Sequence, residues 1–208
     1  MKLVKGHGVY EKGKYKSTVN GEMTREYNLW WNMLGRAYDK DYHNEKPTYK
    51  EIVVCERWRN FQNFAEDINS MYGFNMVDDK GMYYQLDKDF INRGNKIYSK
   101  ENCVFIPSAL NSFITQLQRN KGKLPTGVAY NKRDKMYQAI LYIDGKKYFK
   151  YFNNIHDCRM AYVISRNDYA RELAEKYKGK VDQRVIHVLE NYDEQDYTGA
   201  IEDLLNIA

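Results

Sequence analysis

The feature that most restricts how this chain can fold is the run from residue 127 to residue 177. Three segments of strand-like composition, 127–130, 136–143 and 147–152, lead directly into a long helical pattern that starts at Ile155 and ends at Tyr177. Asp144-Gly145 joins the second segment to the third. That dipeptide marks a tight hairpin, because its central residues must take up positive φ. Asn154 stands where a side-chain oxygen can accept from the first free N–H groups of a helix. Ile155, Cys158, Tyr162, Tyr169 and Leu173 then recur on one helical face. A three-stranded antiparallel sheet packed on one helix satisfies the whole pattern. Strand alternation sets Lys135, Tyr137, Ala139 and Leu141 against Met136, Gln138, Ile140 and Tyr142, and the pattern leaves open which set faces the helix.

Upstream the periods are mixed. Residues 26–38 carry Tyr27, Trp30, Trp31, Leu34 and Tyr38 at helical spacing, residues 49–58 are β-rich around Ile52, Val53 and Val54, and residues 59–71 return to a helical stripe through Phe61, Phe64, Ala65, Ile68 and Met71. A mobile stretch is expected over 73–81. A strand over 82–91, a turn at Gly94-Asn95, a strand over 102–106 and a helix opened by Pro107 follow, the helix showing Leu110, Phe113, Ile114 and Leu117 on one face. The charged, breaker-rich segment 119–127 suggests a boundary, giving units 1–120 and 121–180 and a tail 181–208. The tail has Val181, Val185, Val188, Leu189 and Tyr192, then Ile201, Leu204 and Leu205, at helical spacing. The expected fold class is α+β throughout.

Charge separates these segments more sharply than the overall balance of +5 suggests. Residues 1–120 carry a net +3, residues 121–180 a net +8 and residues 181–208 a net −6. A concentrated basic block with interleaved aromatics is the electrostatic footprint of a polyanion partner. Twenty Tyr, 8 Phe and 3 Trp argue against disorder. No run of about 18 apolar residues is present, so no membrane partner is expected. The first residues lack the apolar core of a signal peptide, and the three cysteines are odd in number and far apart, which together predict a cytoplasmic protein with reduced thiols.

The stretch from Leu86-Asp87-Lys88-Asp89-Phe90 through Gly94-Asn95 and Asn102-Cys103-Val104-Phe105-Ile106-Pro107 to Asn111 resembles the ββα-metal (HNH) core of phage-borne homing endonucleases. Residues 31–38 and 54–61 resemble the segments that precede that core. The block from Gly127-Val128 through Tyr137-Gln138-Ala139 to Ala161-Tyr162 is similar to an AP2-type DNA-binding domain, a module often fused to such nucleases. The resemblance implies an HNH-like domain with flanking helices, an AP2-like domain and a helical acidic tail. It also implies a divalent Mg held by Asp87 on the first strand and Asn111 on the helix, with Asn102 fixing the hairpin loop. The metal would stabilise charge on the phosphate being attacked.

One position departs from that pattern. Where the family has a histidine that removes a proton from the attacking water, this chain has Lys88. A lysine is protonated at neutral pH and is no general base there, and loss of a base costs about 10²–10⁴ in rate. Asp89 is a substitute base or a competitor for metal. The reading adopted is a sequence-specific double-stranded DNA-binding protein derived from a homing endonuclease, acting by occupancy as a transcriptional repressor, with little or no cleavage and so no required cofactor. The alternative is an active Mg-dependent endonuclease; a third class, a protein-binding inhibitor, would make the basic block incidental.

In the AP2-like block the expected DNA-contacting residues are Lys132, Arg133 and Lys135 at one hairpin, Tyr137 and Gln138 on the middle strand, and Lys146, Lys147 and Lys150 beyond the second hairpin. A small sheet fits the major groove, where polar and aromatic side chains read base edges and lysines grip phosphate. The acidic tail suits packing on the basic block, a homodimer contact, or a solvated helix.

Overall fold

The computed structural model describes residues 3–115, 124–143 and 145–194. The chain divides into two compact units, 1–108 and 109–208. The division therefore falls ahead of the 119–127 segment, of which residues 119–123 lie outside the described residues, as does Asp144.

The first unit opens with a short hairpin, β1 (Thr18–Val19) and β2 (Glu22–Met23), and then α1 (Arg25–Tyr38). Thr24 caps α1 by accepting from the Tyr27 N–H, and Asp39 ends it while capping α2 (Lys40–Glu45) through the Asp41 and Tyr42 N–H groups. One carboxylate thus sets the corner between two helices. A 3₁₀ turn, Pro47–Tyr49, leads to β3 (Val53–Val54). The expected β-rich run ends there, because Glu56–Arg59 is helical (α3). Asn60 then breaks the helical stripe expected over 59–71: it leaves helical φ/ψ and caps α4 (Phe61–Ser70) by accepting from Gln62 and Asn63 N–H.

Aromatic packing holds these helices together. Trp30, Trp58, Phe61 and Phe64 are fully buried, with Trp30 5.5 Å from Phe61 and Trp58 edge-on to Phe64 at 5.0 Å. The indole of Trp30 donates to the Trp58 carbonyl and that of Trp58 to Asp67. The buried stripe of α1 is Trp30, Met33, Leu34 and Ala37. Trp31, one of the aromatics at helical spacing in this segment, is 37 % exposed.

Segment 73–81, expected to be mobile, is pinned instead. Asp78 Oδ1 accepts from the Lys80 and Met82 N–H groups, and its other oxygen accepts from the Ser108 hydroxyl. β4 (Gln85–Asp87) pairs antiparallel with β6 (Val104–Ile106), and β5 (Ile97–Tyr98), inserted between them in sequence, pairs parallel with β3. The expected strand 82–91 therefore shortens to three residues, and the chain turns at Asp87. α5 (Ser108–Thr115) follows directly after Pro107.

In the second unit β7 (Val128–Asn131), β8 (Met136–Ile143) and β9 (Lys146–Phe152) form one antiparallel sheet in the order β7-β8-β9. α6 (Ile155–Tyr177) is capped by Asn154, as expected from the sequence. Val128, Ala139, Cys158 and Tyr162 form the core between sheet and helix, with Tyr137, Leu141, Phe152 and Ile155 packed around them. The face question is thereby answered: Tyr137, Ala139 and Leu141 look toward α6. Gly127 is fitted under α6, with φ of +78° and a Cβ position only 2.2 Å from the Tyr162 ring, so no side chain fits there.

α7 (Gln183–Glu190) packs on α6 through Val185, Ile186 and Leu189. The chain after it returns to α6 through a buried ion cluster. Glu194, fully buried, lies 3.4 Å from Arg159 and 3.7 Å from Arg166, accepts from the Tyr192 hydroxyl at 2.5 Å, and donates its backbone N–H to Asn167. Arg166 stacks on the Phe113 ring at 3.6 Å and donates to the Phe113 carbonyl. The first part of the tail is thus integral to this unit. The expected positions Ile201, Leu204 and Leu205 lie outside the described residues.

Candidate functional site

Asp87 closes β4. Its Oδ1 accepts from the Asp89 and Phe90 N–H groups at 2.8 and 2.7 Å, which turns the chain sharply out of the strand. Oδ2 makes no hydrogen bond among the described residues. Burial pushes the Asp87 carboxyl above its ordinary pKa, and the neighbouring Asp89 charge adds to the rise, while the two backbone N–H groups and Lys88 oppose it.

Lys88 is 6 % exposed. Its Nζ contacts both oxygens of Asp89, at 2.6 and 2.7 Å, and the Asn95 carbonyl at 3.0 Å. The ammonium makes three acceptor contacts, and Asp89 is engaged as its counter-ion. With its N–H groups engaged in these contacts, the ammonium offers no acceptor for a proton from water. The rings of Tyr49 and Tyr98 lie 6.0 Å from the same Nζ.

Asn95 holds this loop. Its Nδ2 donates to the Lys88 carbonyl at 3.0 Å and the Ile97 carbonyl at 2.8 Å, and its Oδ1 accepts from the Ile97 N–H. This is the tie that the resemblance assigned to Asn102. Asn102 itself sits in the turn before β6, its backbone N–H donating to the Ser99 hydroxyl. Sequence reasoning read Gly94-Asn95 only as a turn; an Asn eight residues after the strand end, next to a Gly with φ of +75°, was the available signal. Asn111 lies on α5, partly buried, and belongs to the second compact unit.

For a divalent metal the first unit offers Asp87 Oδ2. Magnesium is often held by one or two carboxylates plus substrate phosphates, so Asp87 alone is a minimal donor set. No group of three His, Cys, Asp or Glu suited to a metal occurs among the described residues. Cys55, Cys103 and Cys158 form no disulfide. Burial raises the pKa of Cys103, to about 12, and of Cys158, to about 11, which makes both poor thiolate ligands.

The second unit presents an open sheet face. The β7-β8-β9 register puts Asn131, Met136, Gln138, Ile140, Tyr142, Lys147, Phe149 and Tyr151 on the side away from α6. Tyr142 is 43 % and Phe149 53 % exposed. Tyr151 packs edge-on against Phe149, and its hydroxyl bonds to Asp134 and Asn131, which fixes the end of this face. Of the expected contacts, Gln138 and Lys147 share it. Tyr137 does not, since it packs toward the helix, and Lys146 and Lys150 fall on the helix-facing row of the edge strand. Lys150 borders a groove of about 390 Å³ between β8, β9 and α6. Lys132, Arg133 and Lys135 form the β7–β8 turn, with Lys135 at φ of +54°. Arg133 pairs with Asp134 at 2.8 Å, whereas Lys132, Lys135, Lys146, Lys147 and Lys150 have no ion-pair partner among the described residues. Tyr142, Phe149 and Tyr151 were absent from the expected set, because strand alternation alone did not tell which row was covered.

None of the helices described is long and apolar enough to cross a membrane. No protein-family model matches this chain, and neither do curated proteins or solved structures.

Proposed function

We propose that this protein binds double-stranded DNA in a sequence-specific manner through its second unit and acts by occupancy, as a repressor does, with little or no strand cleavage. The observation that carries the reading is the one-sided sheet: Gln138, Tyr142, Lys147 and Phe149 lie on the face away from α6, and five lysines around it have no ion-pair partner among the described residues. Polar and aromatic side chains on such a face suit base edges, and unpaired lysines suit phosphates. The loss of cutting rests on Lys88, whose ammonium is bound to Asp89 where a nuclease of the HNH type needs a base.

A second reading, an active Mg-dependent endonuclease, is favoured by one observation: Asp87, half-buried at the end of β4, keeps a carboxylate oxygen without a hydrogen bond among the described residues. Purified protein incubated with duplex libraries in Mg²⁺ separates the two. The expected result is a retarded complex with intact strands, whose affinity falls steeply with salt through counterion release. Specific nicks abolished by Asp87→Ala would establish the second reading. A flat salt dependence would remove DNA binding altogether. Lys88→His, alone and with Asp89→Asn, tests whether cleavage returns once a base is present and the clamp is released.

A further inference from the structure

We infer that Gln138 sets the base preference of the open sheet face, and that the base it reads in the major groove is adenine. The inference rests on the DNA-binding reading and supplies what that reading leaves open, the base recognised.

Gln138 lies on β8, the middle strand, on the face away from α6. Its backbone is locked from both sides, opposite Ala129 on β7 and Tyr151 on β9. Ala129 ends at its β-carbon, so the glutamine side chain stands open toward β7. On the other side Tyr151 is held in place, its hydroxyl donating to Asp134 at 3.1 Å and accepting from Asn131 at 3.2 Å. Gln138 is half-buried in this row. A side chain confined in this way loses less entropy when it grips a ligand.

The neighbouring polar groups are engaged within the fold. Asn131 accepts from the Arg133 and Asp134 N–H groups and donates to Asp134 and Tyr151. The Gln138 amide makes no hydrogen bond among the described residues. It therefore keeps a donor and an acceptor side by side near the centre of the face. In the major groove only adenine sets a donor, N6, next to an acceptor, N7; guanine shows two acceptors, cytosine a donor and thymine an acceptor beside its methyl group. A free carboxamide completes two hydrogen bonds with adenine and one with any other base. The exposed Tyr142 hydroxyl donates or accepts equally well and does not discriminate in this way.

The surroundings extend the match. Ile140 follows Gln138 on the same face, with Phe149 directly opposite on β9. Alternate residues of a strand lie about 7 Å apart, roughly two base steps of about 3.4 Å. Apolar surface therefore stands where a thymine methyl is the fitting partner. Lys132, in the turn before β8, and Lys147, at the far end of the face, flank the row on either side, where phosphates would lie.

The test uses the full chain and duplexes selected by it from a random library. On the selected site each adenine is replaced in turn by 7-deazaadenine, which lacks the N7 acceptor, and each thymine by deoxyuridine, which lacks the methyl. One adenine should prove sensitive, its replacement weakening wild-type binding by about fivefold or more. Gln138→Ala should lose the preference at that position alone and bind natural and deaza duplexes equally. Gln138→Glu, of nearly the same shape, should turn the preference toward cytosine, since a carboxylate accepts from the cytosine N4. The deoxyuridine scan should find a sensitive thymine about two steps away. Specific binding that keeps its adenine in Gln138→Ala and Gln138→Glu, or that tolerates 7-deazaadenine throughout, overturns the inference and leaves the DNA reading standing. Equal binding to every duplex removes the sequence-specific reading and this inference with it.

Discussion

The two units place their ion pairs differently. In the first, Lys5 is paired with Asp39, Arg57 with Asp67 and Glu66, Lys88 with Asp89, and Lys96 with Glu51. In the second, Lys132, Lys135, Lys146, Lys147 and Lys150 have no ion-pair partner among the described residues, and besides surface pairs such as Arg171–Asp168 the unit holds a buried one, where Glu194 lies between Arg159 and Arg166. Exposed pairs add little to stability, so the surface difference matters for recognition rather than for folding. A sheet whose lysines have no ion-pair partner among the described residues presents its potential outward, whereas the paired cations of the first unit are neutralised where they stand.

The buried cluster gives the largest effect by which this contrast can be broken. Glu194→Ala leaves two buried guanidinium groups without their anion, and removing one partner of such a group typically costs about 3–5 kcal/mol. All three Trp, Trp30, Trp31 and Trp58, lie in the first unit. Tryptophan fluorescence should therefore melt near wild type while far-UV circular dichroism shows an early transition. Coincident early transitions would mean that the units do not unfold independently.

Gly127→Ala should cost the second unit about 2–3 kcal/mol, since it combines positive φ with overlap on the Tyr162 ring. An unshifted melting curve would show that Tyr162 can move aside. Replacing Lys132, Arg133 and Lys135 together with Ala should weaken DNA binding by about tenfold or about 1.4 kcal/mol. The same variant should change folding stability by less than about 0.5 kcal/mol. Unchanged affinity would transfer DNA contact away from the β7–β8 turn.

Asp87→Asn gives the smallest effect, and its sign follows from the raised pKa. A carboxyl that binds its proton more tightly when folded stabilises the fold below its unfolded pKa, and that contribution is lost as pH rises through the folded pKa. Asn keeps the Oδ1 acceptor for the Asp89 and Phe90 N–H groups and removes the ionisation. The variant should be slightly more stable than wild type at pH 7, with the gain shrinking toward pH 4. A loss of stability at pH 7 would mean that the carboxylate charge is needed, most simply for Lys88.

Local signals carried much of the fold. The Asn154 cap and the recurrence of Ile155, Cys158, Tyr162, Tyr169 and Leu173 on one face define α6, and alternation with short turns defines β7, β8 and β9, because period and capping are properties of neighbours in sequence. Long-range pairing was not legible. Arg159 and Arg166 look like solvated positions on a charged helix until Glu194, far along the chain, returns to meet them. Asn60 looked like one polar residue in a helical stripe, but its side chain caps α4 and so divides the stripe in two. At the candidate site, the position of Lys88 after Asp87 was readable; that its ammonium is bound by Asp89 and Asn95 was not, since it depends on how the loop folds back.

The Lys88–Asp89 clamp also has an evolutionary consequence. Any single substitution that puts a base at position 88 strands Asp89 without its counter-ion and strips the Asn95 carbonyl of a donor. The path to a histidine there runs through a less stable intermediate unless position 89 changes first, and changing 89 first leaves a buried ammonium alone. Either order of change passes through a state in which one member of the pair lacks its counter-ion, so the two positions are coupled through stability and should tolerate joint replacement better than single ones.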